Sequence, residues 1–331
     1  MKTIPFFIVG VQRSGTTLLR LLLNAHSEIA IPEEASFLKP LFKNEWSGQS
    51  ITGLKLQRLV NYLRANEQFN LWNFDREPLL QEIGNRESIT FSEVMDIMYS
   101  SYAKNEGKIR WGDKSLFFGS IEKLYEMFPK ARFIHIVRDG RDVFHSWRKM
   151  DPTKSHPSVM ALDWKLKLHF IERSIKTIPA SNMLLVRYED LLTQPNESLQ
   201  KICNFLSIDF EEDMLRFHQS SNKYIGKHHS DLIFKAIDDS NITKWKKLLT
   251  QNEIDLFQFV AGKSLKKYGY EIISGGLKVK ISILTGLDLL VGLPKRVIEL
   301  IKVRLAFRRA LQKGEATKTI SVGELPEDQQ K

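Results

Sequence analysis

Short, continuously apolar runs alternate with longer segments of helical periodicity along most of the chain. Runs of this kind are typical of strands that are buried on both faces of a parallel sheet. They predict strands at Ile4–Val9, Ile29–Ile31, Ile109–Gly112, Arg132–Val137 and Met183–Val186. The helical pattern predicts helices at Thr16–Ala25, Phe91–Lys104, Ser120–Phe128, Pro157–Ile178, Leu191–Leu206 and Asn252–Tyr268. This alternation predicts an α/β fold in which a central parallel sheet is flanked by helices.

The pattern divides the chain into an α/β domain at 1–273 and a C-terminal extension at 274–331. Within the extension, Ile281–Leu293 is apolar but too short to cross a membrane. Pro294–Lys313 is predicted to be a basic amphipathic helix that begins at its proline, because proline is favoured in the first turn. The last residues, Glu315–Lys331, are predicted to be frayed.

The chain carries a net charge of +10, and most of it lies in one segment. Between Leu277 and Lys313, nine basic residues accompany only two acids, so this segment supplies seven of the ten net positive charges. Because most of the excess lies in this one segment, we predict no nucleic-acid partner. Two interpretations of the extension stay open. It could be a helix packed on the domain with a charged outer face, or a peripheral attachment to a membrane or an anionic acceptor.

Cys203 is the only cysteine in the sequence, which excludes an internal disulfide and a cysteine-based zinc site. The first apolar run ends at Gln12 and Arg13, before the core of a signal peptide is complete. We therefore predict a reduced, cytoplasmic protein, which the basic extension could hold at the inner face of the membrane.

A strand, a glycine-bounded loop and a helix follow one another at the start of the chain. The spacing from Gly10 to Gly15 is that of the nucleotide-binding loop GxxxxGK[ST], whose amides and following helix N-terminus bind phosphate. Thr16 replaces the lysine that reaches the terminal phosphates of ATP, Thr17 keeps the hydroxyl, and Arg13 adds a charge. The loop therefore predicts a phosphate-containing donor that is not a nucleoside triphosphate. Small-molecule kinases are the other common users of such loops.

Polar residues follow four of the predicted strands directly. The clusters are Gln12–Thr17, Asp113–Ser115, Arg138–Arg141 and Arg187–Glu189. Because ligands bind beyond the carboxyl ends of parallel strands, four clusters at one edge predict a single polyanion-binding site. For any one of these residues, the alternative is a charged side chain that only solvates a loop.

Two separate motifs resemble those of one enzyme family. The first comprises Phe7–Ser27 with Glu33 and Glu34, and the second comprises Arg132–Val143 with His145–Trp147. Together they resemble the sulfotransferases that use 3′-phosphoadenosine 5′-phosphosulfate (PAPS), and most of all the tyrosylprotein sulfotransferase branch and its bacterial relatives. The resemblance extends over most of the α/β domain. It implies a P-loop-type three-layer fold with a central parallel β-sheet flanked by helices.

The resemblance also implies how the donor is bound. The loop residues would bind the 5′-phosphosulfate: Arg13, Ser14, Gly15, Thr16 and Thr17. Arg138 and Ser146 match the positions that hold the 3′-phosphate, for which a guanidinium is suited because it donates paired hydrogen bonds. Tyr188 and Lys244 match further donor contacts, and the polar segment Ser220–Ser240 would form a flap over the donor.

The catalytic groups are implied in the same way. Sulfuryl transfer needs a base at the acceptor hydroxyl and positive charge at the leaving oxygen. Glu34 matches the base of the tyrosylprotein branch, and Glu33 would take this role if the turn were displaced by one residue. Lys114 matches the lysine at the bridging oxygen and would supply the charge that Thr16 lacks. Without the resemblance, Glu33 and Glu34 could simply form a solvated acidic turn, and Lys114 could be an exposed lysine that follows a strand.

The sequence thus predicts an enzyme that moves the sulfuryl group of PAPS to a hydroxyl acceptor, leaving 3′,5′-adenosine bisphosphate, without a metal. The acceptor pocket is expected in 35–108, where nothing discriminates between a sugar, a lipid, a peptide and a small metabolite. A P-loop small-molecule kinase is the alternative function. A non-enzymatic basic adaptor for a membrane or a nucleic acid is a third, resting on the extension alone.

Overall fold

The computed structural model describes residues 4–43, 50–115, 121–219, 235–273 and 278–313. Seven strands lie within these ranges: β1 (Phe6–Gly10), β2 (Ile29–Ala30), β3 (Ile51–Thr52), β4 (Ser88–Ile89), β5 (Arg110–Asp113), β6 (Arg132–Val137) and β7 (Met183–Arg187). Five of them form one parallel sheet in the order β2-β5-β1-β6-β7, which confirms the five predicted strands. The antiparallel ribbon of β3 and β4 was not predicted, because two-residue strands leave no periodicity to detect.

Helices connect the strands and cover both faces of the sheet. In the described part of the chain they are α1 (Thr16–Asn24), α2 (Lys39–Lys43), α3 (Gly53–Ala65), α4 (Glu67–Asn70), α5 (Glu77–Gly84), α6 (Phe91–Asn105), α7 (Ile121–Met127), α8 (Gly140–Met150), α9 (Pro157–Ile175), α10 (Tyr188–Thr193), α11 (Pro195–Leu206), α12 (Lys244–Leu248), α13 (Gln251–Lys267) and α14 (Lys278–Lys313). Short 3-10 turns lie at Ser36–Leu38, Pro152–Lys154, Ala180–Asn182 and Glu212–Gln219. Among the described helices, none is both long and apolar enough to cross a membrane.

The side chains of the central strand β1 pack against helices on both faces of the sheet, which gives the fold three layers. Successive side chains of β1 point to opposite faces, and all of them are apolar, as expected for a strand covered on both sides. Phe7 and Val9 join the core formed with α3, α5 and α6, whereas Phe6 and Ile8 join the core formed with α1, α10 and α11. A third core packs α8, α9 and α13 together beyond the end of the strand. The predicted three-layer α/β fold is confirmed.

Local capping signals fix the starts of two long helices. Thr90 and Glu93 form a reciprocal capping box at the start of α6, and Thr250 and Glu253 do the same at α13. Each box satisfies backbone N–H groups that the first turn of a helix otherwise leaves unpaired. Both helices begin within one residue of the predicted position, since their signals are local in sequence.

The C-terminal extension differs from its prediction. The apolar segment Ile281–Leu293 and the helix expected to begin at Pro294 form one continuous helix, α14. Proline lacks an N–H, so the carbonyl of Leu290 loses one intrahelical hydrogen bond. Gly292 and Arg296, on either side of the proline, are both buried, because α14 packs on α9 and α13. This packing offsets the lost bond and carries the helix through the proline.

Two predicted segments lie mainly or wholly outside the described residues. The flap predicted at Ser220–Ser240 is described only from Lys235 onward, and the frayed terminus predicted at Glu315–Lys331 is not described.

Candidate active site

The phosphate loop joins the buried end of β1 to the start of α1. Gly15 has φ +90° and Arg13 has φ +70°, so the chain turns twice through the left-handed region within three residues. The Ser14 amide donates to the carbonyl oxygen of Val11 across 3.1 Å, which closes the turn. The first amides of α1 have no partners within the helix, and they point toward this edge of the sheet. The loop can therefore bind an anion, as predicted from its spacing.

Both glycines of the loop are required by close packing. A Cβ on Gly10 would lie 2.5 Å from the carbonyl oxygen of Ile136 in the neighbouring strand. A Cβ on Gly15 would lie 2.2 Å from the ring of Tyr188. The phosphate loop thus packs directly against the ring of Tyr188, which is also a predicted donor contact.

Gly15→Ala should weaken binding of 3′,5′-adenosine bisphosphate by at least about tenfold, since a displaced loop loses charged hydrogen bonds worth about 1.5–3 kcal/mol each. Gly107→Ala is the matched control, because Gly107 also has a positive φ (+70°) but has nothing within 4 Å of an added Cβ. Both variants should lose about 1–2 kcal/mol of stability from the left-handed backbone. Titration calorimetry and thermal unfolding test this pair, and equal bisphosphate affinity in both variants would contradict the role of the Gly15 contact.

Arg138 links the loop to residues that are distant in sequence. Its Nη1 donates to the carbonyl oxygen of Arg13 across 3.2 Å, and its Nη2 donates to that of Asn241 across 2.8 Å. Its guanidinium stands 4.4 Å from the ring centroid of Tyr188, whose hydroxyl accepts from Asn241 Nδ2 at 2.9 Å. Arg13 Nε in turn donates to Ser146 Oγ at 2.9 Å. The structure therefore brings four predicted donor-binding residues into one cluster, with Asn241 as a member that no sequence signal indicated.

Several buried polar atoms around this cluster have no hydrogen-bond partner among the described residues. They are Ser14 Oγ, Arg138 Nε and both ring nitrogens of His145. Buried polar atoms in folded proteins are nearly always paired, so these atoms are available to a polar ligand. The groups fit a phosphate-bearing ligand, because hydroxyl and guanidinium donors surround the N-terminus of a helix.

His145 belongs to the second motif, but no donor contact was predicted for it. Burial lowers the pKa of its imidazole to about 4, and the neighbouring cations Lys149, Arg148, Lys244 and Arg138 add to this shift. The ring is therefore neutral at pH 7, with one N–H available as a donor. It precedes Ser146 in α8, so proximity in sequence to a predicted site residue was the available signal.

Lys244 is the first residue of α12, after Thr243 in the left-handed region. The amide of Trp245 donates to Asp142 Oδ1 at 2.8 Å and ties α12 to α8. Burial raises the pKa of Asp142 to about 6. Lys244 is half-buried, and its helix packs against α8.

A second cluster lies on the other side of the phosphate loop. The ammonium of Lys114 donates to Thr17 Oγ1 at 3.1 Å and forms an ion pair with Glu34. The Lys114 side chain is only 3% exposed, whereas that of Glu34 is 33% exposed. A buried cation thus lies between the loop hydroxyl and a carboxylate that solvent or an acceptor can reach. Lys114 thus places a positive charge beside the loop, which has Thr16 where nucleotide-binding loops have a lysine.

The turn that carries Glu34 is held by buried groups at the end of β5 and just after it. Ser115 Oγ accepts from the Ala35 amide at 2.7 Å and donates to the carboxylate of Asp113. Asp113 also accepts from the Tyr99 hydroxyl at 2.8 Å, and burial raises the pKa of its carboxyl. These contacts fix the position of Glu34 relative to Lys114, and the contact between Ser115 and the Ala35 amide joins residues 80 positions apart.

The two adjacent glutamates have different partners in the structure. Glu33 pairs with Arg20 at 2.8 Å, and its carbonyl oxygen accepts from Trp72 Nε1 at 3.0 Å. Glu34 alone of the two is paired with Lys114. Glu34 is therefore the glutamate that lies beside Lys114.

Some residues of the predicted polyanion-binding clusters make buried contacts within the protein instead of facing the site. The Arg141 side chain is fully buried, pairs with Asp139 at 2.7 Å and stacks 3.5 Å from the ring centroid of Trp245. Glu189 accepts from the amide of Asp139 at 3.0 Å and from the Tyr270 hydroxyl at 3.0 Å. These residues hold the turn after β6 in place, so Arg138 is the member of its cluster that is directed to the site.

The chain is similar to known proteins of one family. The model of the sulfotransferase family matches residues 5–212. The protein-tyrosine sulfotransferase of Drosophila melanogaster is 28% identical over 72% of this chain and 46% of its own length. Protein-tyrosine sulfotransferase A of Caenorhabditis elegans is 25% identical over 82% of this chain and 68% of its own length. The chain thus spans about half of the first relative and about two thirds of the second.

Two solved structures share the fold. The sulfotransferase domain from the curacin biosynthetic pathway has a TM-score of 0.55 and 19% identity, over 82% of this chain and 99% of that domain. The sulfotransferase domain of the Synechococcus PCC 7002 olefin synthase has a TM-score of 0.54 and 24% identity, over 82% of this chain and 98% of that domain. With the family match over more than half of its residues, this chain belongs to the sulfotransferase family.

Proposed function

We propose that this protein transfers the sulfuryl group of PAPS to a hydroxyl group of an acceptor. The observation that carries the proposal is the buried ammonium of Lys114, held between the Thr17 hydroxyl of the phosphate loop and the Glu34 carboxylate. A cation and a base at the mouth of an anion-binding loop are the two groups that transfer to a hydroxyl requires.

The donor would be held by the two clusters of the site. The amides and hydroxyls of the loop would bind the 5′-phosphosulfate, and Lys114 would contact its bridging oxygen. Arg138 and Ser146 would bind the 3′-phosphate, with Lys244 adding charge and His145 a neutral N–H. Tyr188 supports both the loop and Arg138, so it positions the donor-binding groups.

PAPS supplies an activated sulfuryl group, and the chain supplies proton transfer and charge. Glu34 accepts the proton of the acceptor hydroxyl as the new oxygen–sulfur bond forms. Lys114 stabilises the negative charge that develops on the 5′-phosphate oxygen as its bond to sulfur breaks. The products are the sulfate ester, 3′,5′-adenosine bisphosphate and a proton on Glu34. None of these roles calls for a metal ion.

The acceptor is proposed only as a class, a hydroxyl-bearing sugar, lipid, peptide or small metabolite. The relatives above are named for protein tyrosine, so a tyrosine peptide is the first acceptor to test. A panel that adds an amino sugar, a lipid alcohol and 4-nitrophenol would cover the other classes. The kinase alternative is not favoured, because the family match and the threonine in place of the loop lysine both count against it.

Binding of 3′,5′-adenosine bisphosphate, measured by calorimetry without magnesium and with ATP as the comparison, tests the donor site. We expect tight bisphosphate binding, weak ATP binding, and a loss of about ten- to a hundredfold in Arg138→Ala, since a charged hydrogen bond is worth about 1.5–3 kcal/mol. Arg132→Ala is the matched control, because Arg132 lies at the opposite end of β6 and bonds to Ser207. Preference for ATP, or equal losses in both variants, would overturn the proposed donor.

A further inference from the structure

The C-terminal helix α14 packs on the domain through its polar side. Asp288 accepts from the Ser158 amide at 2.8 Å and pairs with the His156 ring at 2.8 Å. These contacts anchor the helix at the N-terminus of α9. They are directional and partly buried, so they fix which face of α14 is turned inward.

Small and charged residues continue the same inner face. A Cβ on Gly292 would lie 2.6 Å from His156 and from Val159, so the backbone of α14 approaches α9 closely at this glycine. Arg296, two turns after Asp288, pairs with Asp163 at 3.7 Å and with Glu299. The spacing of three or four residues places Thr285, Asp288, Gly292, Arg296 and Glu299 along one side of the helix.

The opposite side of α14, which we call the outer face, is apolar and exposed. It consists of Ile283, Leu287, Leu290, Val291, Leu293, Val297, Ile298, Leu300, Ile301 and Leu305. Their exposed fractions run from 36% at Leu293 to 71% at Leu290. A surface helix of a globular protein normally turns its apolar side inward, and a continuous apolar surface marks an interaction site. In α14 this arrangement is reversed, because the polar side faces the domain and the apolar side faces solvent.

Charge indicates what covers this outer face. The two acids of α14, Asp288 and Glu299, both lie on the inner face and are paired there. Lys280, Lys295 and Lys302 are exposed, and the sequence of the last turns adds four more basic residues, Arg304, Arg308, Arg309 and Lys313. An apolar surface accompanied by cations, with the acids of the helix on its opposite side, is complementary to an apolar phase whose surface is anionic.

We propose that the outer face of α14 lies on an anionic lipid bilayer and holds the protein peripherally at its surface. The apolar side chains would enter the boundary between head groups and acyl chains, while the lysines contact lipid phosphates. A second copy of the chain is a poorer occupant, because it would bring two strongly basic helices together. Anionic lipids are concentrated in the cytoplasmic leaflet, so the inner face of the membrane is the proposed location.

Flotation of the full chain with vesicles tests the proposal. The vesicles are phosphatidylcholine alone, or phosphatidylcholine with about 30% phosphatidylserine, at low and high salt. We expect binding to the anionic vesicles, weakened by salt, and at least about a tenfold loss in the double variant Ile283→Gln/Leu290→Gln. The matched control is Leu54→Gln/Ile109→Gln, because these residues are 72% and 63% exposed, against 71% and 61% for Leu290 and Ile283.

Far-UV circular dichroism and bisphosphate binding check that both double variants are folded. Vesicle binding does not depend on sulfuryl transfer, so its failure and the failure of the proposed function are distinguishable. Equal binding to neutral vesicles, or equal binding by both double variants, would overturn the proposal. Sedimentation velocity tests the alternative of a second copy. The proposal would also be overturned if the wild-type protein were a dimer that did not bind anionic vesicles and the Ile283→Gln/Leu290→Gln variant were a monomer. That result would assign the outer face to a second copy of the chain.

Discussion

Glu34→Gln should lower kcat by about 10²–10⁴-fold, the usual contribution of a general base, while bisphosphate affinity changes less than about threefold. Glutamine still accepts a hydrogen bond from Lys114, so the ion-pair geometry is largely kept, but it cannot take up a proton. The bisphosphate carries no acceptor hydroxyl, so its binding does not involve the base. One third of the Glu34 side chain is exposed, which leaves it accessible to an acceptor.

The measurement is bisphosphate release from PAPS with the best acceptor of the panel, alongside calorimetry. Glu33→Gln is the matched control, because Glu33 is the adjacent carboxylate but pairs with the buried Arg20. That change should lower the melting temperature and leave kcat within about threefold. A Glu34→Gln variant that retains activity while Glu33→Gln is inactive would transfer the role of base to Glu33.

Lys114→Met should lower kcat by about 10²–10³-fold, the range seen when one donor to a developing oxyanion is removed. Methionine fills similar volume in a site where the side chain is only 3% exposed, so the main loss is the ammonium. The charge on the leaving oxygen develops in the transition state, so kcat should fall by a larger factor than bisphosphate affinity.

Lys167→Met is the control for this change. Lys167 also contacts the phosphate loop, but its Nζ donates to Gln12 Oε1 at 3.1 Å and pairs with Asp163. Its replacement should leave kcat within about tenfold, because it has no contact with Thr17 or Glu34. Equal losses of kcat in the two variants would show only a general need for positive charge near the loop and would contradict the specific role of Lys114.

The site itself was only partly accessible from sequence. The loop is a contiguous motif, so its glycine spacing and Thr16 could be read directly. The contact between Glu34 and Lys114 joins residues 80 positions apart, and that between Arg138 and Arg13 joins residues 125 positions apart. The family resemblance suggested their roles but not their neighbours. Asn241 and the buried support from Asp113 and Ser115 follow from strand order and could be recognised only in the folded chain.

The sequence alone was enough to predict the strands, the phosphate loop and the α/β layers, because continuous apolar runs, glycine spacing and capping residues act over a few positions. It also determined that the extension is basic and amphipathic. The folded chain was needed to show that α14 continues through Pro294 and that its polar side faces the domain. A helical pattern defines two faces but not which one is buried. That choice depends on partners on α9, a hundred or more residues away, whose ion pairs and close packing at Gly292 outweigh the tendency of apolar side chains to turn inward.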